Sequence, residues 1–438
     1  MKLAGILAGI PGVDGLKSGG FMLSRSVYYW NLQSPPEGLN GAVNILNDLG
    51  VEFIWYAHWV VGFPMPPDFE QAGEIARNCG LGRKSENFVE WCEREFYSLE
   101  CVRKQVNAVQ GKIYCPAILG YTNFRADFNF DPLTFEPIDR EELENWLLDL
   151  GKWDLKNPKT KKPFTIEDTQ EIFRKMGLPK ERAIPDFSNS DVVRYYIRKA
   201  TALKKVGVKA VWYDTFFQLP LGIKRYLNLS FDHPAVRELY EGCLKIVKGA
   251  RALGLTTGTW NLCFNFPYRK VPEVDFVTAS PTSEEVLKLK LDEEKWRRVE
   301  SKILSKRQKT WLLIMLDFAN RDDLPLAIFS QKLTSEEQRH FLKILHDLSL
   351  RLSVNSAVAY PVHGLGTGTH PKKLAWGRYR LYDAKAPEFR TYQTIAELMN
   401  SRKIPISPVL PVASLLLALV LKLLLSNLSN RPKNYKLN

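Results

Sequence analysis

The run Asp191–Val206, DVVRYYIRKATALKKV, is followed by Gly207 and then by Val208–Phe216, VKAVWYDTF. In the first run apolar residues recur at three- and four-residue spacing, which is an amphipathic helix, and Gly207 closes it. The second is β-branched and aromatic, which is a strand. A helical stretch, His233–Leu253, and another strand, Leu255–Asn261 (LTTGTWN), come next. A strand, a covering helix and a second strand predict parallel pairing, because a hairpin would need only a short turn between the strands.

The same unit repeats outward in both directions. Upstream, Ser26–Leu32 (SVYYWNL), Val51–Trp59 (VEFIWYAHW) and Lys112–Tyr121 (KIYCPAILGY) read as strands. Helical stretches lie at Leu39–Leu49, near Asp68–Cys79 and at Ser85–Val109. Downstream, Val274–Ser280, Thr310–Ala319 and Ser356–His363 are strands, with helices over Glu284–Arg307, Thr334–Leu352 and Ala386–Met399. An insertion rich in Pro, Asp, Lys and aromatics runs from Thr122 to about Asn189, with a short helix near Arg140–Leu150. Eight strands mostly separated by helices predict an α/β fold, a single (β/α)8 (TIM-type) barrel over residues 26–400. One connection, Leu262–Glu273, carries no clear helix. An open doubly wound sheet is the alternative, but its customary Gly-rich first turn is missing after Ser26–Leu32.

Composition agrees with a large globular domain. Of 438 residues, 45% are apolar and 25% charged, which excludes collagen, coiled coil and wholesale disorder. The 61 basic residues exceed the 48 acidic ones by 13. They are scattered among acidic neighbours, and the densest run, Lys156–Lys162, is too short to line a groove, so no nucleic-acid partner is expected. The six cysteines form no C-x-x-C, so no zinc ribbon or redox motif is expected. Oligomeric state is not legible.

The ends of the chain read differently. Val409–Leu425, VLPVASLLLALVLKLLL, has a single charge, Lys422. It is long enough for a short membrane-spanning helix, behind a Pro-containing linker at 401–408 and ahead of a basic tail at 426–438. A single-pass C-terminal anchor is therefore expected. Arg431, Lys433 and Lys436 follow the span, which places the domain on the extracytoplasmic side. Residues 1–25 hold Lys2 and then LAGILAGI, which reads either as an export signal or as a strand at the bottom of the barrel.

In a (β/α)8 barrel, active residues gather at the C-terminal strand ends. Here those ends supply His58, Trp59, Asn123, Asp214, Trp260, Asn261, Asp317 and His363. Alternation places Ala210, Trp212 and Asp214 on one strand face, Leu313, Met315 and Asp317 on another, and Ala357, Ala359, Pro361 and His363 on a third. The phase that buries no unpaired carboxylate among the helices points Asp214, Asp317 and His363 into the mouth. No strand end carries His-x-His, an interior lysine or a nucleophile elbow, so no metal or other cofactor is expected. What remains is a carboxylate pair, Asp214 and Asp317, amid aromatic and amide groups. That set suits carbohydrate: sugar C–H faces stack on indoles, and hydroxyls bond amides, acids and imidazole. Glycoside cleavage uses two carboxyls.

The segment Gly207–Phe216, GVKAVWYDTF, resembles the fourth strand of (β/α)8 glycoside hydrolases of the α-galactosidase-like clan. The resemblance implies that Asp214 is a nucleophile. In that clan the acid/base aspartate comes from the sixth strand, which here ends Thr278-Ala279-Ser280, so Asp317 on the seventh has to substitute. Two other readings stand beside this one. The Gly-rich stretch His363–Thr369, HGLGTGT, could cradle a phosphosugar. A non-catalytic glycan-binding barrel would use the same aromatic groups.

Overall fold

The computed structural model describes residues 23, 25–29, 38–60, 99–121, 131–136, 138–175, 183–306, 309–318, 323–365 and 381–401. Within them lie eight parallel strands: β1 (Ser26–Tyr29), β2 (Phe53–Val60), β3 (Ile113–Leu119), β4 (Ala210–Asp214), β5 (Thr256–Trp260), β6 (Phe276–Ala279), β7 (Trp311–Ile314) and β8 (Ser356–Leu365). Each pairs with the next in chain order, and β8 pairs back onto β1, Ser26 opposite Ala359 and Val27 opposite Tyr360. The sheet is therefore closed, and the open-sheet alternative is excluded. A closed sheet has no edge, and its strands are buried on both faces. Accordingly β1, β6 and most of β4 are buried along their length.

Side chains fill the barrel interior. Phe53 on β2 meets Phe276 on β6 with ring centroids 5.5 Å apart, and Trp55 on β2 meets Trp212 on β4 at 5.1 Å. Neither pair of strands is adjacent, so both contacts cross the interior. Tyr213 faces the other way. Its ring lies 4.9 Å from Phe216, which packs on Phe187 and on Tyr196 of the helix Ser190–Lys205. The β4 phase expected from alternation, Trp212 inward and Tyr213 toward the helices, is the one adopted.

The outer layer follows amphipathic periodicity. Ser190–Lys205 buries Val192, Tyr196, Ala200 and Leu203, is capped by the Asn189 side chain, and carries Lys204 and Lys205 in its last turn. Pro234–Ala252 starts with Pro at its N-terminus after the His233 cap. The expected helix Glu284–Arg307 is two, Ser283–Leu287 and Glu293–Lys306. Leu289 adopts a left-handed φ of 51°, which breaks the first, and the Asp292 side chain accepts from the Lys295 amide at the start of the second. Two further helices were not expected from the sequence, Gln218–Tyr226 after β4 and Pro325–Lys332 after β7. The connection after β5 holds only a 3-10 turn, Asn261–Asn265.

The insertion after β3 folds into the helices Arg140–Asn145 and Ile166–Lys175 with a 3-10 turn, Leu150–Trp153, between them. β8 runs on past the barrel to Leu365, where a short antiparallel β9 (Leu381–Asp383) joins it. The closing helix is Tyr392–Ser401 rather than Ala386–Met399, because turns around the Asp383 cap and Arg390, at φ 51°, occupy the intervening residues. Met1–Met399 form one compact unit. Among the described residues no helix is long and apolar enough to cross a membrane. The expected N-terminal signal or strand and the apolar segment Val409–Leu425 lie outside the described residues.

Candidate active site

The C-terminal end of β4 places Asp214 at the barrel mouth. The Trp260 indole N–H at the end of β5 donates to Asp214 Oδ1 at 2.7 Å. Burial pushes the Asp214 carboxyl up to about 6, against hydrogen bonds from Trp260 and the Thr215 backbone that favour the charged form. Desolvation therefore outweighs the hydrogen bonds. The result is a carboxylate that is ionised near neutrality yet basic enough to accept a proton.

The backbone at Asp214 is fixed by its neighbours. Its carbonyl accepts from the Gly120 amide at 2.8 Å and from the Thr215 hydroxyl at 2.7 Å. Thr215 Oγ1 in turn accepts from the Gly120 amide at 3.0 Å. Thr215 holds a left-handed φ of 64°, and a Cβ at Gly120 would meet its Oγ1 at 2.8 Å. Glycine lets the end of β3 approach the turn that presents Asp214.

Asp317 follows β7 and is half-buried. Its amide donates to Ser280 Oγ at 2.9 Å, and its Oδ1 accepts from the Phe318 amide at 2.8 Å. Ser280, standing at the end of β6 where the resembled clan carries its acid, thus positions the backbone of Asp317. The carboxylate also holds its own loop.

Tyr56 packs between the ends of β4 and β7 that carry the two acids, and sequence reasoning did not single it out. Its ring is buried among Trp212 (5.5 Å), Phe318 (4.6 Å), Trp55 (5.3 Å) and Tyr28 (6.0 Å). Burial raises its hydroxyl well above the ordinary tyrosine value, and the charges of Asp214 and Asp317 push the same way. Both carboxylates therefore bear on one phenol.

The other expected residues are placed as follows. Trp212 is fully buried, 5.6 Å from the Trp260 ring, so it is part of the site's floor. Asn261 Nδ2 donates to the Thr278 carbonyl at 3.0 Å and is committed to tying β5 to β6. His363 is buried and stacks on Tyr29 at 5.3 Å. The β1–β8 register slips before it, Tyr28 pairing with Pro361 and Tyr29 with His363. A Cβ at Gly364 would run into the Tyr28 ring at 1.9 Å, so in this extended strand His363 projects to the opposite face. The first glycine of the HGLGTGT stretch thus serves ring packing within β8. Gly366–Thr369, Asn123 and the side chains of His58 and Trp59 lie outside the described residues. Elsewhere, a cavity of about 300 Å³ opens between the insertion and Ser190–Lys205. Two of its arginines are engaged there, Arg198 with Asp131 at 2.6 Å and Arg194 with Asp191 at 2.8 Å.

Replacing the Trp260 donor tests the balance at Asp214. In Trp260→Phe the carboxylate keeps its burial and loses a hydrogen bond to its charged form. The acid limb of any activity that needs ionised Asp214 is expected to move up by about one pH unit. A pH profile of kcat/KM for the two proteins checks this, and an unmoved limb would assign that limb to another group.

No protein-family model matches the chain. No curated protein sequence matches it. Solved structures resemble it at low identity. Amy13B of Eubacterium rectale aligns over 86% of this chain and 77% of its own, at 9% identity and a TM-score of 0.49. The isomaltulose synthase SmuA from Protaminobacter rubrum aligns over 88% of this chain and 71% of its own, at 11% identity and 0.40. A mutant of the trehalulose synthase MutB, in complex with Tris, aligns over 81% and 68%, at 10% identity and 0.42.

Proposed function

We propose that this chain is a glycoside hydrolase in which Asp214 is the essential carboxylate and Asp317 its partner. The observation that carries the reading is the Asp214 carboxyl itself. It ends β4 at the mouth of a closed barrel, lies among indole and phenol rings, accepts from Trp260 at 2.7 Å and is pushed up to about 6. Glycoside cleavage needs an ionised carboxylate to attack the sugar or activate water, and an acid to protonate the leaving oxygen. Asp214 suits the first task. Asp317, whose neighbour Phe318 packs on the same tyrosine, is the carboxyl we assign to the second. Aromatic rings around the acids suit the apolar face of a sugar and exclude water when one binds.

β4 and β7 are not neighbouring strands. The wider carboxyl spacing of inverting enzymes, ~6.5–9.5 Å, therefore fits this pair better than the ~5–5.5 Å of retaining ones. The test is hydrolysis of 4-nitrophenyl α- and β-glycosides by the full chain, with the anomer of the released sugar followed by NMR. Release of the inverted anomer supports the Asp214–Asp317 pair. Retention would demand a closer partner for Asp214 and remove Asp317 from the role.

We also propose that Val409–Leu425 tethers the domain to a membrane, with the barrel on the extracytoplasmic side. The support is the sequence: 17 residues with one charge, followed by basic residues. The full chain is expected to sediment with membranes and to need detergent for release, while a chain ending at Ser401 remains in the supernatant. Equal partitioning of the two would reject the anchor.

A further inference from the structure

We propose that Tyr56 is a further catalytic residue, whose phenol O–H donates to the sugar bound between Asp214 and Asp317. The inference rests on the glycosidase reading of this site. It starts from a backbone outlier. Along β2 and β3, Trp55 pairs with Cys115 but Trp59 pairs with Ala117, so β2 carries two extra residues in this interval. Tyr56 sits inside that bulge with a φ of 56°. A left-handed conformation is unfavourable for a bulky aromatic residue and costs on the order of 1–3 kcal/mol. A regular strand would place Trp55 and Tyr56 on opposite faces. The bulge brings both rings against Trp212, at 5.1 and 5.5 Å. Its effect is to swing Tyr56 into the mouth, where it touches Trp212 on the β4 side and Phe318, next to Asp317, on the β7 side.

Packing accounts for the ring but not for the hydroxyl. Phenylalanine would make the same ring contacts with Trp212 and Phe318 without bringing a polar atom into a buried, acid-lined space. Tyr56 is 4% exposed and its hydroxyl lies within electrostatic reach of both carboxylates. Burial, with the negative charge of Asp214 beside it, keeps the phenol protonated, so it acts as a donor and not as a base. A donor on a ring that packs against both the β4 and the β7 end would reach a sugar held between the two carboxyls. Hydrogen bonds to sugar hydroxyls at that position strengthen in the transition state.

The test compares the full-length wild type with Tyr56→Phe, which keeps the ring and the backbone. The probes are neutral 4-nitrophenyl glycosides of glucose, galactose and mannose, with tryptophan fluorescence as a binding readout. The expected result is a fall in kcat of about 10- to 100-fold with little change in KM, at an unchanged thermal midpoint. Activity within twofold of wild type would overturn the inference and leave the proposed function standing. So would a loss of activity that follows a lowered midpoint, because that is a packing role. If wild type binds these sugars without cleaving them, the proposed hydrolysis fails. Tyr56 is then judged by affinity: a Tyr56→Phe Kd weakened about tenfold supports the contact, and an equal Kd overturns it. Neither cleavage nor binding of any probe by wild type would overturn both.

Discussion

Asp214→Asn is expected to lose at least about 10³-fold in kcat/KM toward any glycoside the wild type cleaves, with no loss of folded structure. Asparagine keeps the shape and one acceptor oxygen for the Trp260 indole, so the 2.7 Å hydrogen bond has a successor. It lacks the charge that a nucleophile or base must carry. The stability effect has a definite sign. Burial raises the folded-state value of Asp214 to about 6, above that of an unfolded aspartate. Such a group favours the fold below the unfolded value, where both states are protonated, and this advantage is lost as pH rises to about 6. Above that pH wild type holds a buried charge that Asp214→Asn does not. The variant should therefore match wild type near pH 4 and exceed it by about 1–3 kcal/mol at neutral pH. Activity assays with thermal melts at the two pH values check both halves. Retained hydrolysis, or a variant less stable at pH 7, would make Asp214 a structural cap of the β4 turn.

How much of this was legible in the sequence depended on whether the signal was local. The fourth and fifth strands stood out because β-branched and aromatic residues lie between a glycine-capped helix and a second helix. Their observed limits, Ala210–Asp214 and Thr256–Trp260, fall inside the expected ones. Asp214 beside Trp260 was legible too, since both close adjacent parallel strands. Tyr56 was not. In FIWYAHWV nothing distinguishes a regular strand from a bulged one, and strict alternation assigns Tyr56 to the helix side. His363 failed for the same reason, as a register slip against β1 reverses the face that counting from Ala357 predicts. Asn261 looked like a sugar ligand because amides at strand ends often are. Its hydrogen bond to the Thr278 carbonyl depends on how β6 approaches β5, which no single segment encodes.

Two glycines in one helix should respond with different magnitude to the same change. Gly242 and Gly249 both lie inside Pro234–Ala252, where alanine intrinsically favours the helix by about 0.8–1 kcal/mol. At Gly242 an added Cβ would stand 1.7 Å from the Phe187 carbonyl oxygen and 2.6 Å from its carbon. That obstacle is backbone, so the helix or the end of the insertion must move. At Gly249 the nearest atoms are Ile197 Cδ1 and Cγ1, both at 2.6 Å, on a half-buried side chain that can change rotamer. Gly249→Ala should therefore stay within about 1 kcal/mol of wild type, whereas Gly242→Ala should lose about 2–3 kcal/mol, net of its propensity gain. For a domain of this size that is a fall in Tm of roughly 2–4 °C. The damage should also reach the site. Phe187 stacks on Phe216 at 4.7 Å, two residues beyond Asp214, and Cys243 Sγ lies 3.4 Å from the Phe216 carbonyl. A shift of Phe187 pushes on the turn that presents the carboxylate, so kcat/KM should drop in Gly242→Ala even well below its melting point. Equal Tm values for the two variants would mean that the insertion yields to the new methyl group without strain, and that it is not the wall against which the β4 turn is held.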